Sequence, residues 1–181
     1  GALTTNTIGT QNVAIGLNSL ALNTTGNNNT AIGKGSLAAN TTGIQNTAVG
    51  VNALLANVIG LNNVACGASA LTANLADNNT AIGGAALRDN TTGTGNVAVG
   101  LNALLVNTIG TALTAVGTSS LTANTTGIDN TAIGGQSLMA NTVGANNTAV
   151  GRDALLACTT GNNCTAVGKG TLAAVTTGIS N

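Results

Sequence analysis

Apolar residues in this chain recur at fixed places in a long period. An Ala-(Ile/Val/Cys)-Gly triplet ends at Gly16, Gly33, Gly50, Gly67, Gly83, Gly100, Gly117, Gly134, Gly151 and Gly168. The copies are 17 residues apart except for one interval of 16, the mark of a repeat architecture. The residue before each Ala is Thr or Val, and the residue after it is Ile or Val, with Cys66 as the exception. These two slots are β-branched and two residues apart, so they share one face of a short strand. The position between them is Ala in every copy: Ala14, Ala31, Ala48, Ala65, Ala81, Ala98, Ala115, Ala132, Ala149 and Ala166. A strand face open to water varies freely, and here both faces are restricted. The expectation is that both are covered. One is covered by the coil's own core. The Ala face meets a tight neighbour, for which a second chain is a candidate.

The invariant Gly predicts a corner with positive φ or close backbone approach. Three of the four basic residues, Lys34, Arg152 and Lys169, fall immediately after it, so that slot faces solvent. Four residues beyond each Gly comes an unvarying Leu: Leu20, Leu37, Leu54, Leu71, Leu87, Leu104, Leu121, Leu138, Leu155 and Leu172. These form the predicted structural core. Asn23-Thr24-Thr25-Gly26 then reads as a second extended piece closing on a turn. The Thr25 slot also holds Ile59, Ala76, Ile109 and Val143, which points it inward. By alternation the Thr24 slot faces out and Asn23 faces in. Stacked Asn residues predict hydrogen-bonded ladders along the array. The shortened unit lacks its Gly between Ala76 and Asp77, a loss that a surface turn tolerates.

The predicted fold is all-β: a parallel β-solenoid with one coil of about 17 residues per repeat. At about 4.8 Å per coil the ten units make a rod roughly 50 Å long. Residues 1–181 read as a single array, ten units with partial units at both ends, cut from a longer chain.

Composition narrows the chemistry. The chain has 26 Gly, no Pro, no His and no aromatic residue, and its four basic and four acidic side chains cancel. Zero net charge with scattered Lys and Arg argues against nucleic acid, which needs a basic stripe. No apolar run is long enough for a membrane helix, and the aromatic girdles of an outer-membrane barrel are lacking. Asp77, Asp89, Asp129 and Asp153 lie in four different units and in different slots. With no His, Tyr or Glu, acid–base pairs and nucleophile triads cannot be assembled. Neither a calcium loop nor a phosphate loop is present. Cys66, in a core slot on this reading, is a small hydrophobe. The chain is expected to have no catalytic residue, cofactor or metal.

Cys158 and Cys164 stand where other units carry Asn. The first slot is Asn at Asn23, Asn40, Asn57, Asn74, Asn90, Asn107, Asn124 and Asn141; the second is Asn at Asn12, Asn29, Asn46, Asn63, Asn79, Asn96, Asn130 and Asn147. Their joint exchange in one unit suggests that the two positions face each other. A structural disulfide is the first expectation, since no second cysteine pair or His completes a zinc site. Two inert thiols are the alternative. A disulfide would point to an oxidising, extracellular compartment.

The unit N-T-A-[IV]-G-x-x-[AS]-L-x-x-N-T-T-G-x-x resembles repeats of bacterial surface fibres and phage tail fibres. Its A-[IV]-G portion is similar to the head repeats of YadA-like trimeric autotransporter adhesins. Relatives of the tail-fibre type often carry Tyr after A-[IV]-G and after Leu, where this chain has Leu17, Lys34 and Gly84, and Ala21, Ala38 and Arg88. The resemblance implies a fibrous shaft or adhesive head outside the cell or on a virion. Its partners would be copies of itself, as a homotrimer or filament, and a host surface or glycan. The alternative reading is an ice-binding solenoid that uses the outward Thr24-slot row.

Overall fold

The computed structural model describes residues 1–178. Ten strands of three residues follow one another: β1 (Val13–Ile15), β2 (Thr30–Ile32), β3 (Thr47–Val49), β4 (Val64–Cys66), β5 (Thr80–Ile82), β6 (Val97–Val99), β7 (Thr114–Val116), β8 (Thr131–Ile133), β9 (Thr148–Val150) and β10 (Thr165–Val167). They form one parallel sheet in chain order. Each strand pairs with the next in the same register, as in Val13↔Thr30, Ala14↔Ala31 and Ile15↔Ile32. The chain is a β-solenoid with one coil per repeat. Backbone bonds join successive coils all round the perimeter, for example Gly33 N to Ile15 O at 2.7 Å and Thr24 N to Thr41 O at 2.9 Å.

The strands face the opposite way from the sequence expectation. From β2 to β9 the central Ala is fully buried, in the same core cluster as the Leu row. The β-branched residues on either side point outward: Val97 is 37% exposed and Ile82 43%. The reason is steric. The coil interior is narrow, and Leu20 through Leu155 fill it completely. The wall that meets those Leu side chains has room for a methyl and nothing more. The tight neighbour of the Ala row is therefore the chain's own core and not a second chain. Cys66 is likewise exposed and not a core residue. At the ends the rows loosen: Ala14 is half-buried and Leu172 is 37% exposed.

Leu reaches the interior through an unusual backbone. Every residue of the row from Leu20 to Leu172 has φ between 48° and 52°. The left-handed conformation costs a non-Gly residue about 1–2 kcal/mol. Full burial of a Leu side chain contributes about 1.5–3 kcal/mol, enough to hold the turn. At the preceding corner, Gly16 to Gly168 have φ of 121° to 141°, which only Gly adopts readily. A Cβ at Gly100 would lie 2.7 Å from the Gly117 carbonyl carbon and oxygen.

Candidate functional site

The second corner of the coil is polar and dry. From Asn23 to Asn141 in the first row and from Asn29 to Asn147 in the second, the Asn residues are fully buried. In the first row Asn40 Nδ2 donates to Asn23 Oδ1 at 2.9 Å, and the bond recurs from Asn57 to Asn40, Asn107 to Asn90 and Asn124 to Asn107. The same amide donates to the Gly carbonyl three residues on, as Asn40 does to Gly43 O. In the second row each Oδ1 accepts a backbone N–H from the coil above: Asn46 N donates to Asn29 Oδ1 at 3.0 Å. Its Nδ2 donates to the Gly carbonyl one coil on, as in Asn29 to Gly43 O at 2.8 Å. Gly43 O thus receives one amide from each row. A buried amide without partners would cost about 1–3 kcal/mol per group, and these networks satisfy nearly all of them. Leu113, fully buried, interrupts the second row. Its N–H still donates to Asn96 Oδ1, and Gly127 O keeps its bond from Asn124.

Among the described residues two buried side-chain oxygens have no partner, Asn57 Oδ1 and Asn141 Oδ1. Both lie where the first ladder breaks. Above Asn141 the Asn position is Cys158, which has no amide to give. Above Asn57 comes the shortened coil. There Ala76 occupies the buried Gly position: Asn63 Nδ2 and Asn74 Nδ2 both donate to Ala76 O, at 2.8 and 2.7 Å. The absent residue is therefore the one of the Thr25 slot, not the Gly. Asn74 is drawn toward this carbonyl only two residues away and does not reach Asn57. The missing side chain leaves an open groove of about 420 Å³ lined by Ile59, Leu61, Leu75, Ala76, Asp77, Thr92 and Thr94.

The Thr25 slot faces solvent and not the interior. Ile59 is 63% exposed, Ile109 53% and Val143 49%. Thr24 and Thr25 occupy a bend, where strand alternation does not operate, and the inward positions are Asn23 and Gly26. Thr24-slot hydroxyls are committed to the backbone. Thr24 Oγ1 donates to Thr41 O at 3.1 Å, Thr91 to Thr108 O at 2.9 Å and Thr108 to Thr125 O at 3.1 Å.

Cys158 and Cys164 are both buried and stand as free thiols. They flank Gly161, and Cys158 lies within hydrogen-bond reach of Cys164. Cys164 Sγ donates to Gly178 O at 3.2 Å, taking over the role of the second-row amide. Burial pushes the Cys158 thiol above its ordinary pKa, opposed in part by a backbone hydrogen bond from Gly161. A protonated, enclosed thiol is a poor nucleophile.

The charged residues do not converge. Arg88 pairs with its neighbour Asp89 at 2.7 Å and Arg152 with Asp153 at 3.4 Å, all four at least partly exposed. Among the described residues no three His, Cys, Asp or Glu side chains gather to hold a metal. Among them, too, no helix is long and apolar enough to cross a membrane. What the chain presents repeatedly is its outer surface. Sequence reasoning missed the most regular part of it, the Thr/Val and Ile/Val rows of the sheet. The signal was present in the T-A-[IV] triplet, whose small central residue marks the inner side. Comparison of the chain with protein-family models, with curated proteins and with solved structures finds no match.

Proposed function

We propose that this chain is a passive structural segment of an extracellular, adhesive fibre, without catalytic activity. The observation that carries the reading is the in-register stacking of coils along the whole array, with an interior closed by Leu, Ala and Asn ladders. Such an array spans distance and displays the same side chains at every step. The resemblance to surface-fibre and tail-fibre repeats supports the same reading, with a cell or virion surface as the proposed location. Association of copies, as a homotrimer or filament, cannot draw on the Ala row, which the chain's own core uses. It draws instead on exposed apolar side chains such as Ile59, Ile109 and Val143, and on Leu17, Val51 and Leu101 after the Gly corner. A host surface or glycan is the expected target. The Thr24 row is a weak candidate for ice, because its hydroxyls are spent on carbonyls of the next coil.

In an oxidising compartment the adjacent thiols of Cys158 and Cys164 would join, losing two protons and two electrons to the compartment's oxidants. Mass spectrometry of secreted material under non-reducing conditions, with two alkylatable thiols as the contrary result, tests that step. Sedimentation and electron microscopy test the fibre. Elongated oligomers are expected, and a lone monomer at micromolar concentration would overturn self-association.

A further inference from the structure

We propose that the outer face of the ten-stranded sheet is a binding face for crystalline water. Along this face the position before each Ala is Thr in seven of ten strands and Val in the others, and the position after it is Ile, Val or Cys66. Unlike the hydroxyls of the Thr24 row, those of Thr30, Thr47, Thr80, Thr114, Thr131 and Thr148 make no hydrogen bond to protein among the described residues. Nor do they count among the buried oxygens left without a partner, so they are open to water. No ionised side chain stands in either row. The face therefore offers unclaimed hydroxyls beside γ-methyl groups and holds no charge that would impose its own hydration.

The geometry is that of a mesh. Strands repeat at about 4.7–4.9 Å along the axis, and residues two apart on a strand stand about 6.6 Å apart. The axial spacing is close to the short oxygen repeat of hexagonal ice, and the spacing along the strand falls somewhat under the longer one. Uniform register keeps both rows in line through every pairing. Stacked side-chain ladders are what hold a sheet from twisting, and the Asn ladders run the same length on another wall of the coil. Thr, Val and Ile are stiff at χ1, so the rows are ordered before anything binds. The shortened coil provides an independent observation. Its missing residue is taken from the Thr25 bend, and Val64↔Thr80, Ala65↔Ala81 and Cys66↔Ile82 still pair in register. The defect leaves the mesh unbroken.

Area decides between occupants. Ten strands of this spacing and width cover on the order of 400 Å², about half of what each partner of a stable protein complex buries. A second copy seated here would be held weakly. A crystal lattice offers the same site at every step and requires no side-chain ordering in a partner.

The inference does not depend on the fibre reading, since a single rod suffices, and its test has a different readout. Thermal hysteresis and partition into a growing ice front are measured on the whole chain. The unaltered protein is expected to arrest ice growth and to enrich in the ice. Thr114→Lys and Thr131→Lys, both outward on the sheet, should lose nearly all of the hysteresis while circular dichroism and melting stay unchanged. Thr126→Lys, on the exposed Thr25 row, should retain it. Absence of hysteresis and of ice enrichment in the unaltered chain overturns the proposal. So does a loss confined to Thr126→Lys, which would put any ice contact on the other face.

Discussion

The Asn corner and the sheet invert the usual arrangement of a protein, and each does so differently. At the corner, polar amides are fully buried; on the sheet, branched aliphatic side chains stand in solvent. The corner tolerates its inversion because each amide donates both to the Asn of the coil below and to the Gly carbonyl beside it. The sheet tolerates its own because Ala alone fits the space that Leu leaves. Stability in this rod thus depends on the inward rows of both walls, while the outward rows are free to serve contact. Substitutions should separate the two classes sharply.

The largest effect is expected at the ladder. Asn107→Ala removes the donor to Asn90 Oδ1 and the acceptor for Asn124 Nδ2, both buried. At about 1–3 kcal/mol for each of the two groups left unpaired, the loss should total roughly 2–6 kcal/mol in denaturant unfolding. Next comes Ala98→Leu, which overpacks the inner wall and should cost about 1–3 kcal/mol. A smaller change of opposite sign is expected from Cys158→Asn. It restores a donor for Asn141 Oδ1 and should stabilise the chain by about 1 kcal/mol, read as a raised melting temperature. Leu101→Ala, at a site 54% exposed, should fall within about 0.5 kcal/mol of neutral. If Leu101→Ala cost as much as Ala98→Leu, the contrast between inward and outward rows would collapse.

The Cys158 thiol adds a pH test of the same contrast. Burial raises its pKa, so the folded chain holds this proton more tightly than the unfolded one. Its contribution to stability is complete below the ordinary thiol pKa and declines as pH rises above it. Cys158→Ala should flatten that alkaline decline in urea titrations.

The coil length, the Gly corner, the Leu row and the Asn ladders were legible in the sequence, because each rests on a slot with a single chemical demand. The facing of the strands was not. Two β-branched slots around an Ala read as bulk inside only if the interior is roomy, and the cross-section of a coil cannot be seen from its length. The Thr25 slot failed for another reason: alternation was carried through a bend at Thr24–Thr25, where period two does not hold. The shortened unit misled in the same way. Ala76 looked like a Thr25-slot residue with its Gly missing, whereas the Asn63 and Asn74 amides select the carbonyl that stacks on Gly60.

The backbone bonds between coils run along the axis of the rod, and this sets its response to force. A pull on the two ends loads those bonds one coil at a time, like opening a zip, because each coil is held chiefly by the neighbours above and below it. One coil of 17 residues holds about 56–61 Å of extended chain within a rise of about 4.8 Å. Each coil that peels away would therefore lengthen the tether by about 50 Å and relax the load before the next one yields. A fibre built this way would absorb a sudden jerk in small, equal steps, with one step shortened by a single residue.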